Sequence, residues 1–264
     1  MNHHSAAPDD FLQAVRRAFA GADVAAPRAD AAAVLVFDSA PWLVHVAAAA
    51  GWLGAEERQR AERFRFQRDY ATYVLAHAVW RLALAGWLER EPTAVPLVRA
   101  PSGEPLLPGT GWATSLSHSG SQVAIAAARA GTLGVDIERS PCSRNLDDLL
   151  TTICSPPETE TVQRLPLPER ERALLMVWTR KEAVLKASGT GLGVDPATFS
   201  ARAGEVVALS PAAGAIVCRV VDLALPAGLV GALAAPAGMD RYDLHLLDEA
   251  RIVHGNTGSA APRG

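Results

Sequence analysis

Cysteines and long apolar runs are scarce in this sequence. The three cysteines, Cys142, Cys154 and Cys218, lie far apart and form no C-x-x-C pair. This spacing fits neither a disulfide framework nor a zinc site, and it favours a reducing cytoplasm. The longest apolar stretch, residues 43–54, is too short to span a bilayer, and the N-terminus lacks the pattern of a signal peptide. We therefore expect a cytoplasmic protein with no membrane partner.

Runs of basic residues are also missing. The formal net charge is −3, and the 25 Lys and Arg residues are dispersed along the chain. The composition therefore gives no sign of a nucleic-acid partner, and any anion site has to be local. The apolar fraction of 49% and the charged fraction of 20% are typical of a soluble globular protein, and 264 residues suffice for one large or two modest domains.

Predicted strands and helices alternate in blocks along the chain. Residues 31–39 predict a first strand, and residues 55–88 predict a charged helix followed by a long apolar one. Residues 121–128 and 133–138 predict two strands joined by R-A-G, which is a hairpin signal. Helices are predicted over most of residues 146–188, and three strands end the chain, at 215–223, 230–236 and 242–248.

This order predicts an α+β fold of two similar halves, each with helices packed on a small antiparallel sheet. We place the N-terminal half at residues 30–132 and the C-terminal half at residues 133–250. Residues 1–10 and 255–264 are small and polar with Pro and Gly, and we expect them to form flexible tails.

Two carboxylates share one predicted strand. In G-V-D-I-E, Asp136 and Glu138 are two residues apart and so point to the same face. One interpretation is a polar strand face in contact with solvent. The other is a Mg²⁺ or Mn²⁺ site, because hard divalent cations prefer oxygen ligands.

The stretch W-T-R-K-E-A-V-L-K, residues 178–186, predicts a charged helix. Glu182 and Lys186 are four residues apart and share a face, so an ordinary surface salt bridge explains the pair, with Lys181 as a further solvated charge. Half of an active site is the alternative.

Hydroxyls and an imidazole are concentrated in S-L-S-H-S-G, residues 115–120. Ser117, His118 and Ser119 fit a turn whose hydroxyls satisfy the backbone, and they also fit a cluster of donors for phosphate oxygens. A Ser-His-Asp hydrolase is a weaker alternative, because the chain has no G-x-S-x-G elbow.

The order of these three motifs resembles the signature of the 4′-phosphopantetheinyl transferases. S-H-S is followed by G-V-D-I-E and, 42 residues after Asp136, by W-T-R-K-E-A-V-L-K. More narrowly, the chain is similar to the long, monomeric, surfactin-synthetase type, in which one chain contains two copies of a small α/β unit. The resemblance extends from about Ala55 to Phe199 and includes S-G-E-P at residues 102–105 and K-A-S-G-T-G-L-G-V-D-P at residues 186–196.

The resemblance implies transfer of phosphopantetheine from coenzyme A to a serine of an apo acyl, polyketide or peptidyl carrier protein. Adenosine 3′,5′-bisphosphate would be released. By motif match, Asp136, Glu138 and Glu182 would hold the metal on the pyrophosphate. Glu182 and Lys186 would be catalytic, Glu182 by accepting the serine proton and Lys186 by binding a phosphate oxygen. The coenzyme A site would include Ser117, His118, Arg60, Arg63, Gly103, Pro105 and Lys186.

The chain departs from the family pattern at two positions. Glu104 stands where a Lys is usual in a G-K-P loop, and Thr72 stands where an Arg is frequent. Both changes are expected to weaken the binding of the 3′-phosphate of coenzyme A. Arg60, Arg63 and Arg68 are the candidates to compensate.

Two hypotheses from other classes stay open on the residues. The same carboxylates suit another metal-dependent enzyme that acts on nucleotide diphosphates without a carrier protein. The fold also suits a non-catalytic module that binds coenzyme A or a carrier protein. Neither a metal carboxylate nor the second lysine of K-E-x-x-x-K is missing, which favours an active transferase.

Overall fold

The computed structural model describes residues 8–141, 149–209 and 215–248. Its helices, in chain order, are α1 Pro8–Gly21, α2 Val46–Ala49, α3 Ala55–Ala61, α4 Gln67–Trp87, α5 Leu150–Ile153, α6 Pro156–Gln163 and α7 Leu167–Ser188. Its strands are β1 Ala31–Asp38, β2 Val98–Arg99, β3 Pro105–Leu106, β4 Ala113–Ser119, β5 Gln122–Ala128, β6 Gly134–Arg139, β7 Val206–Leu209, β8 Ile216–Asp222, β9 Leu229–Pro236 and β10 Arg241–Leu247.

The helices pack on two four-stranded sheets, which confirms the predicted α+β fold of two halves. The first sheet has the order β10-β1-β5-β4, and the second has the order β6-β9-β8-β7. β2 and β3 form a separate two-stranded hairpin. One expectation about the sheets is wrong, because β1 and β10 pair in parallel, so the first sheet is mixed and not purely antiparallel.

The predicted hairpin between residues 121–128 and 133–138 is also wrong. β5 pairs with β1 and β4, whereas β6 pairs with β9 in the other sheet. The hairpin partner of β5 is β4, across a tight turn in which Gly120 has a φ of 60°. Glycine adopts positive φ without strain, so S-G at residues 119–120 is the hairpin signal and R-A-G is a connection between sheets.

The last strand crosses the predicted boundary between the halves. β10 lies in residues 133–250, yet it completes the first sheet by pairing with β1, for example Val34 with Leu244. The division into halves at residue 132 therefore stays a prediction. The first sheet contains strands from both predicted halves.

The first helix was not predicted. α1 begins at Pro8, inside the expected tail of residues 1–10, and buries Phe11 and Val15 against the core. Residues 1–7 and 255–264 lie outside the described residues, and the expectation of flexibility there stays untested. None of the helices in the described ranges combines the length and the apolarity that a membrane span requires.

The core is built on both faces of the first sheet. Strand β1 is buried almost throughout, and its side chains alternate between two apolar clusters. Ala33, Leu35 and Phe37 pack towards α4, while Ala32, Val34 and Val36 pack towards Val135, Ile137 and Leu233 of the second sheet. A strand buried on both faces is expected to be apolar at successive positions, as A-A-A-V-L-V-F is.

Helix α7 packs very closely against the start of β6. A Cβ atom at Gly134 would lie 1.9 Å from the carbonyl oxygen of Ala183, so only glycine fits at this crossing. The helix ends at Ser188, and Gly189, with a φ of 65°, provides a left-handed cap. This close crossing brings the carboxylates of β6 beside the charged face of α7.

Two of the three cysteines lie within the described residues, and neither is in a disulfide. Cys154 and Cys218 are buried free thiols, and burial raises the pKa of each to about 11. Cys142 lies outside the described residues.

Candidate active site

The two sheets meet where β4 lies beside β6, and serine hydroxyls join them. The Ser115 hydroxyl accepts from the backbone N–H of Val135 at 3.1 Å. The Ser117 hydroxyl donates to Asp136 Oδ1 at 2.7 Å, and the Ser119 hydroxyl donates to Glu138. Residues 115–120 are thus mainly a strand, and the interpretation of S-H-S as a turn is wrong. Alternate serines in S-L-S-H-S are the signal for such a strand face.

Asp136 is the centre of this junction. Its Oδ1 accepts from Ser117 and from Lys186 Nζ of α7, each at 2.7 Å. Lys186 also donates to the carbonyl oxygen of Val135 at 3.1 Å. In the described structure the ion pair of Lys186 is with Asp136, so the predicted salt bridge between Glu182 and Lys186 is wrong. The motif lysine instead ties α7 to β6.

Glu182 faces the same junction from α7. Burial raises the pKa of Glu182 above its ordinary value; Asp136 raises it further, Lys186 opposes the rise, and Glu138 adds to it. Carboxylates from two elements therefore repel one another across a partly desolvated space. A group in this position is more basic than an ordinary Glu.

The unpaired carboxylate oxygens fit a divalent cation. Within the described part of the chain, the buried atoms Asp136 Oδ2 and Glu182 Oε1 have no hydrogen-bond partner. Hard cations prefer such oxygens, and Mg²⁺ commonly uses one or two carboxylates together with substrate phosphates and water. However, among the described residues no three of His, Cys, Asp and Glu come together as a ready-made metal cage. The predicted set of Asp136, Glu138 and Glu182 stays a prediction.

His118 lies on β4 with its side chain on the face opposite the serines, at the surface. Partial burial of the ring lowers the pKa of His118, and Lys186 lowers it further, while Asp69 and Asp136 oppose these effects. The imidazole is therefore mostly uncharged at neutral pH and keeps one N–H donor. Its charge environment places it near Lys186 and near the start of α4.

The predicted arginines lie at a separate cavity between α3, α4 and the β2–β3 hairpin. Arg60 and Pro105 line a cavity of about 160 Å³. Arg60 and Arg63 also line an adjoining cavity of about 570 Å³. Arg99, which the motif comparison did not select, lines both cavities.

The S-G-E-P segment is the tip of this hairpin. Gly103 has a φ of 101° at the turn and accepts a hydrogen bond from Arg99 at 2.7 Å. The Glu104 carboxylate lies against Gly189 at the end of α7, since a Cβ atom there would be 2.8 Å from Glu104 Oε1. The expectation that Glu104 weakens the contact with the 3′-phosphate of coenzyme A stays a prediction.

Thr72 of α4 is not among the residues that line these two cavities. Its hydroxyl lies 3.4 Å from that of Ser39, at the end of β1. The expectation that Thr72 weakens the contact with the 3′-phosphate stays a prediction.

Lys181 is fully buried, so its interpretation as a solvated charge is wrong. Its Nζ atom lies 2.6 Å from Glu158 Oε2 of α6. It also donates to the carbonyl oxygens of Pro196 and Phe199, each at 2.7 Å. Two adjacent motif residues therefore have different environments. Lys181 connects α7 to α6 and to the segment that contains Pro196 and Phe199, whereas Glu182 faces the junction.

Two family models match this chain. The family model described as "4′-phosphopantetheinyl transferase superfamily" matches residues 132–214, and the one described as "4′-phosphopantetheinyl transferase, N-terminal" matches residues 40–130. The chain belongs to the 4′-phosphopantetheinyl transferase superfamily. The matches include β4, β6 and α7, which form the junction. The surfactin-synthetase subtype stays a prediction.

Curated relatives point to the same superfamily. The chain is 30% identical over 147 residues to the 4′-phosphopantetheinyl transferase HetI of Nostoc sp., covering 54% of this chain and 62% of that protein. It is 30% identical over 172 residues to a phosphopantetheinyl transferase of Thraustochytrium sp., covering 58% and 59%. It is 24% identical over 151 residues to a 4′-phosphopantetheinyl transferase of Bacillus subtilis, covering 57% and 66%. The matches span roughly three fifths of the length of these relatives.

Proposed function

We propose that this chain transfers the 4′-phosphopantetheine group of coenzyme A to a serine of an apo carrier protein and releases adenosine 3′,5′-bisphosphate. The observation that supports the proposal most is the junction of β4, β6 and α7. There the unpaired oxygens Asp136 Oδ2 and Glu182 Oε1 lie beside Lys186. Superfamily membership and the names of the relatives support the reaction class.

Asp136 and Glu182, with Glu138 beside them, are the residues that would hold Mg²⁺ or Mn²⁺. When bound, the cation supplies positive charge at the pyrophosphate and relieves the repulsion between the carboxylates. The Ser117 hydroxyl and Lys186 Nζ both donate to Asp136 Oδ1, and so fix the direction of its other oxygen.

Glu182 is the proposed base. In the reaction the carrier serine oxygen bonds to the β-phosphorus, the bond from that phosphorus to the bridging oxygen breaks, and the serine proton moves to Glu182. A carboxylate of raised pKa accepts such a proton more readily than an ordinary one. Lys186 and the neutral His118 would donate to phosphate oxygens, which the position of Lys186 beside Asp136 and the lowered pKa of His118 support.

The proposed site needs only one chain, because β4 and β6 belong to the two matched segments of the same polypeptide. We therefore expect a monomer to be active, in the cytoplasm, where coenzyme A and carrier proteins meet. Acyl, polyketide and peptidyl carriers are all candidate partners.

The test is to incubate the protein with coenzyme A, Mg²⁺ and several apo carrier proteins and to measure the intact mass of each carrier. We expect at least one carrier to gain a single phosphopantetheine on its serine, and the gain to stop when a chelator removes the metal. Asp136→Ala should abolish transfer, whereas Glu205→Gln, an exposed carboxylate paired with Arg202, should not. Near-normal turnover of Asp136→Ala would contradict the metal assignment, and no modified carrier would contradict the function.

A further inference from the structure

Strands β4 and β6 are held together by side chains. Backbone pairing joins β4 to β5 and β6 to β9, so each of the two strands lies at the edge of its own sheet. Serine side chains at alternate positions of β4 face β6, and Ser119 is the last of them. The contacts of Ser119 therefore determine how the end of β6 lies beside β4.

The Ser119 hydroxyl makes hydrogen bonds to two adjacent residues of β6. It donates to Glu138 Oε2 at 2.5 Å and accepts from the backbone N–H of Arg139 at 3.2 Å. A hydroxyl has one proton and two acceptor lone pairs, so with the N–H on a lone pair the proton is directed at the carboxylate. A separation of 2.5 Å is typical of a charge-assisted O–H···O⁻ bond. Ser119 thus constrains the direction of the Glu138 carboxylate.

The hairpin between β4 and β5 fixes the position of Ser119. Ser119 pairs with Gln122 across a two-residue turn, in which Gly120 has a φ of 60°. The carbonyl oxygen of Ser121, the other turn residue, accepts from the backbone N–H of Ser39 at 2.8 Å, just after β1. The turn is therefore anchored to the first sheet. A hydroxyl on such a turn is a rigid support for a side chain of the second sheet.

Glu138 depends on this support more than Asp136 does. Asp136 is 5% exposed, and its Oδ1 already accepts from Ser117 and Lys186. Glu138 is only half-buried, and its side chain has one more rotatable bond. Ordering a long, partly exposed side chain costs conformational entropy. A donor that holds the Glu138 carboxylate in advance therefore reduces the ordering that ligand binding requires.

We propose that Ser119 is a positioning residue for the metal site: it holds Glu138 in the orientation in which that carboxylate binds a divalent cation. This inference rests on the proposed function, which assigns Glu138 to the metal. Ser119 acts through Glu138 and not through contact with the substrate. Hydrogen-bond partners of metal-binding carboxylates commonly contribute about 10- to 100-fold to metal affinity, and we expect Ser119 to lie in that range.

The experiment titrates Mn²⁺ into the protein with coenzyme A and without a carrier, so that no turnover occurs, and measures free Mn²⁺ by electron paramagnetic resonance. Ser119→Ala should weaken Mn²⁺ binding about tenfold or more. Ser119→Thr keeps a hydroxyl on Cβ and should bind Mn²⁺ like the wild type. Ser121→Ala is the matched control, because Ser121 lies in the same turn and contacts Ser39 through its backbone carbonyl oxygen, which the substitution retains.

Transfer kinetics separate positioning from a merely structural role. For Ser119→Ala, the Mg²⁺ concentration that gives half-maximal transfer should rise by about the same factor as the Mn²⁺ dissociation constant. The kcat at saturating Mg²⁺ should stay near that of the wild type. A loss of folded protein would instead lower kcat and leave the Mg²⁺ dependence unchanged, and that result would overturn the inference.

The outcomes also distinguish this inference from the proposed function. Unchanged or tighter Mn²⁺ binding by Ser119→Ala, in a protein whose wild type binds Mn²⁺ and modifies a carrier, contradicts the role of Ser119 alone. Binding by Ser119→Thr as weak as that by Ser119→Ala would show that the hydroxyl is not the group that matters. A wild type that binds no Mn²⁺ and modifies no carrier contradicts the proposed function as well.

Discussion

Replacing Lys181 by Met should destabilise the protein far more than the loss of a surface charge. Lys181 is 0% exposed, and its Nζ contacts Glu158 Oε2 at 2.6 Å and the carbonyl oxygens of Pro196 and Phe199. Met fills a similar volume, so the main effect is the loss of charge. It leaves the Glu158 carboxylate buried without its cation.

The magnitude follows from this geometry. Removing one partner of a buried ion pair lowers the free energy of unfolding by about 3 to 5 kcal/mol, whereas an exposed pair contributes about 0 to 1 kcal/mol. In a chain of this size, that loss corresponds to a fall in melting temperature of roughly 10 °C. Burial alone would raise the pKa of Glu158, but hydrogen bonds from Lys181 and from the Ala201 backbone lower it overall. The difference between wild type and Lys181→Met should therefore be full at neutral pH and shrink at acid pH, as folded Glu158 becomes protonated first in the variant and then, at lower pH, in the wild type.

Equilibrium unfolding in urea, followed by circular dichroism at pH 7 and at lower pH, measures this loss. The double variant Glu158→Gln/Lys181→Met should be more stable than Lys181→Met, because no buried charge is then left unpaired. Arg164→Met, which breaks the exposed pair with Glu160, is the control and should change stability by less than about 0.5 kcal/mol. A loss below about 1 kcal/mol for Lys181→Met would refute the reasoning.

Three further predictions concern the site and its supports. Lys186→Ala should reduce the transfer rate by far more than the roughly fivefold that an exposed ion pair could explain, measured as carrier modified per minute, and a smaller loss would exclude a catalytic role. Glu57→Gln should lower the free energy of unfolding by about 3 kcal/mol at pH 7, because His77 and Arg81 lower the pKa of this buried carboxyl to about 2. The difference from wild type should disappear as the pH falls from about 4.5 to 2. A difference that does not depend on pH would contradict this reasoning. Gly134→Ala should destabilise the protein by at least about 1 to 3 kcal/mol and reduce transfer, because its Cβ would clash with the Ala183 carbonyl oxygen; unchanged unfolding curves would show that α7 can move away.

Local sequence patterns predicted most strands but not their partners. The apolar run at residues 31–39 and the three runs after residue 215 became β1, β8, β9 and β10. The R-A-G signal led to a wrong hairpin, because a turn motif does not show which sheet the next strand joins. The parallel pairing of β10 with β1 joins residues about 210 positions apart, and local periodicity carries no information about such contacts.

The sequence motifs predicted which elements carry the candidate site residues, but not which of those residues are buried. Spacing placed Asp136 on a strand and Glu182 on a helix, and the structure brings both to one junction. Spacing did not distinguish Lys181, which is buried against α6, from Lys186, which reaches β6. The burial of a lysine depends on which elements pack against its helix, and the sequence motif alone does not show this.

The central claim is that the junction transfers phosphopantetheine to a carrier protein, and the stoichiometry of the two products tests it most directly. One reaction of the wild type with coenzyme A, Mg²⁺ and an apo carrier should be sampled over time for modified carrier and for adenosine 3′,5′-bisphosphate. We predict that the two appear in a one-to-one ratio and that neither forms when carrier or metal is omitted. Nucleotide release without carrier modification would indicate a different metal-dependent nucleotide enzyme, and formation of neither product would indicate a binding module; either result would contradict the account.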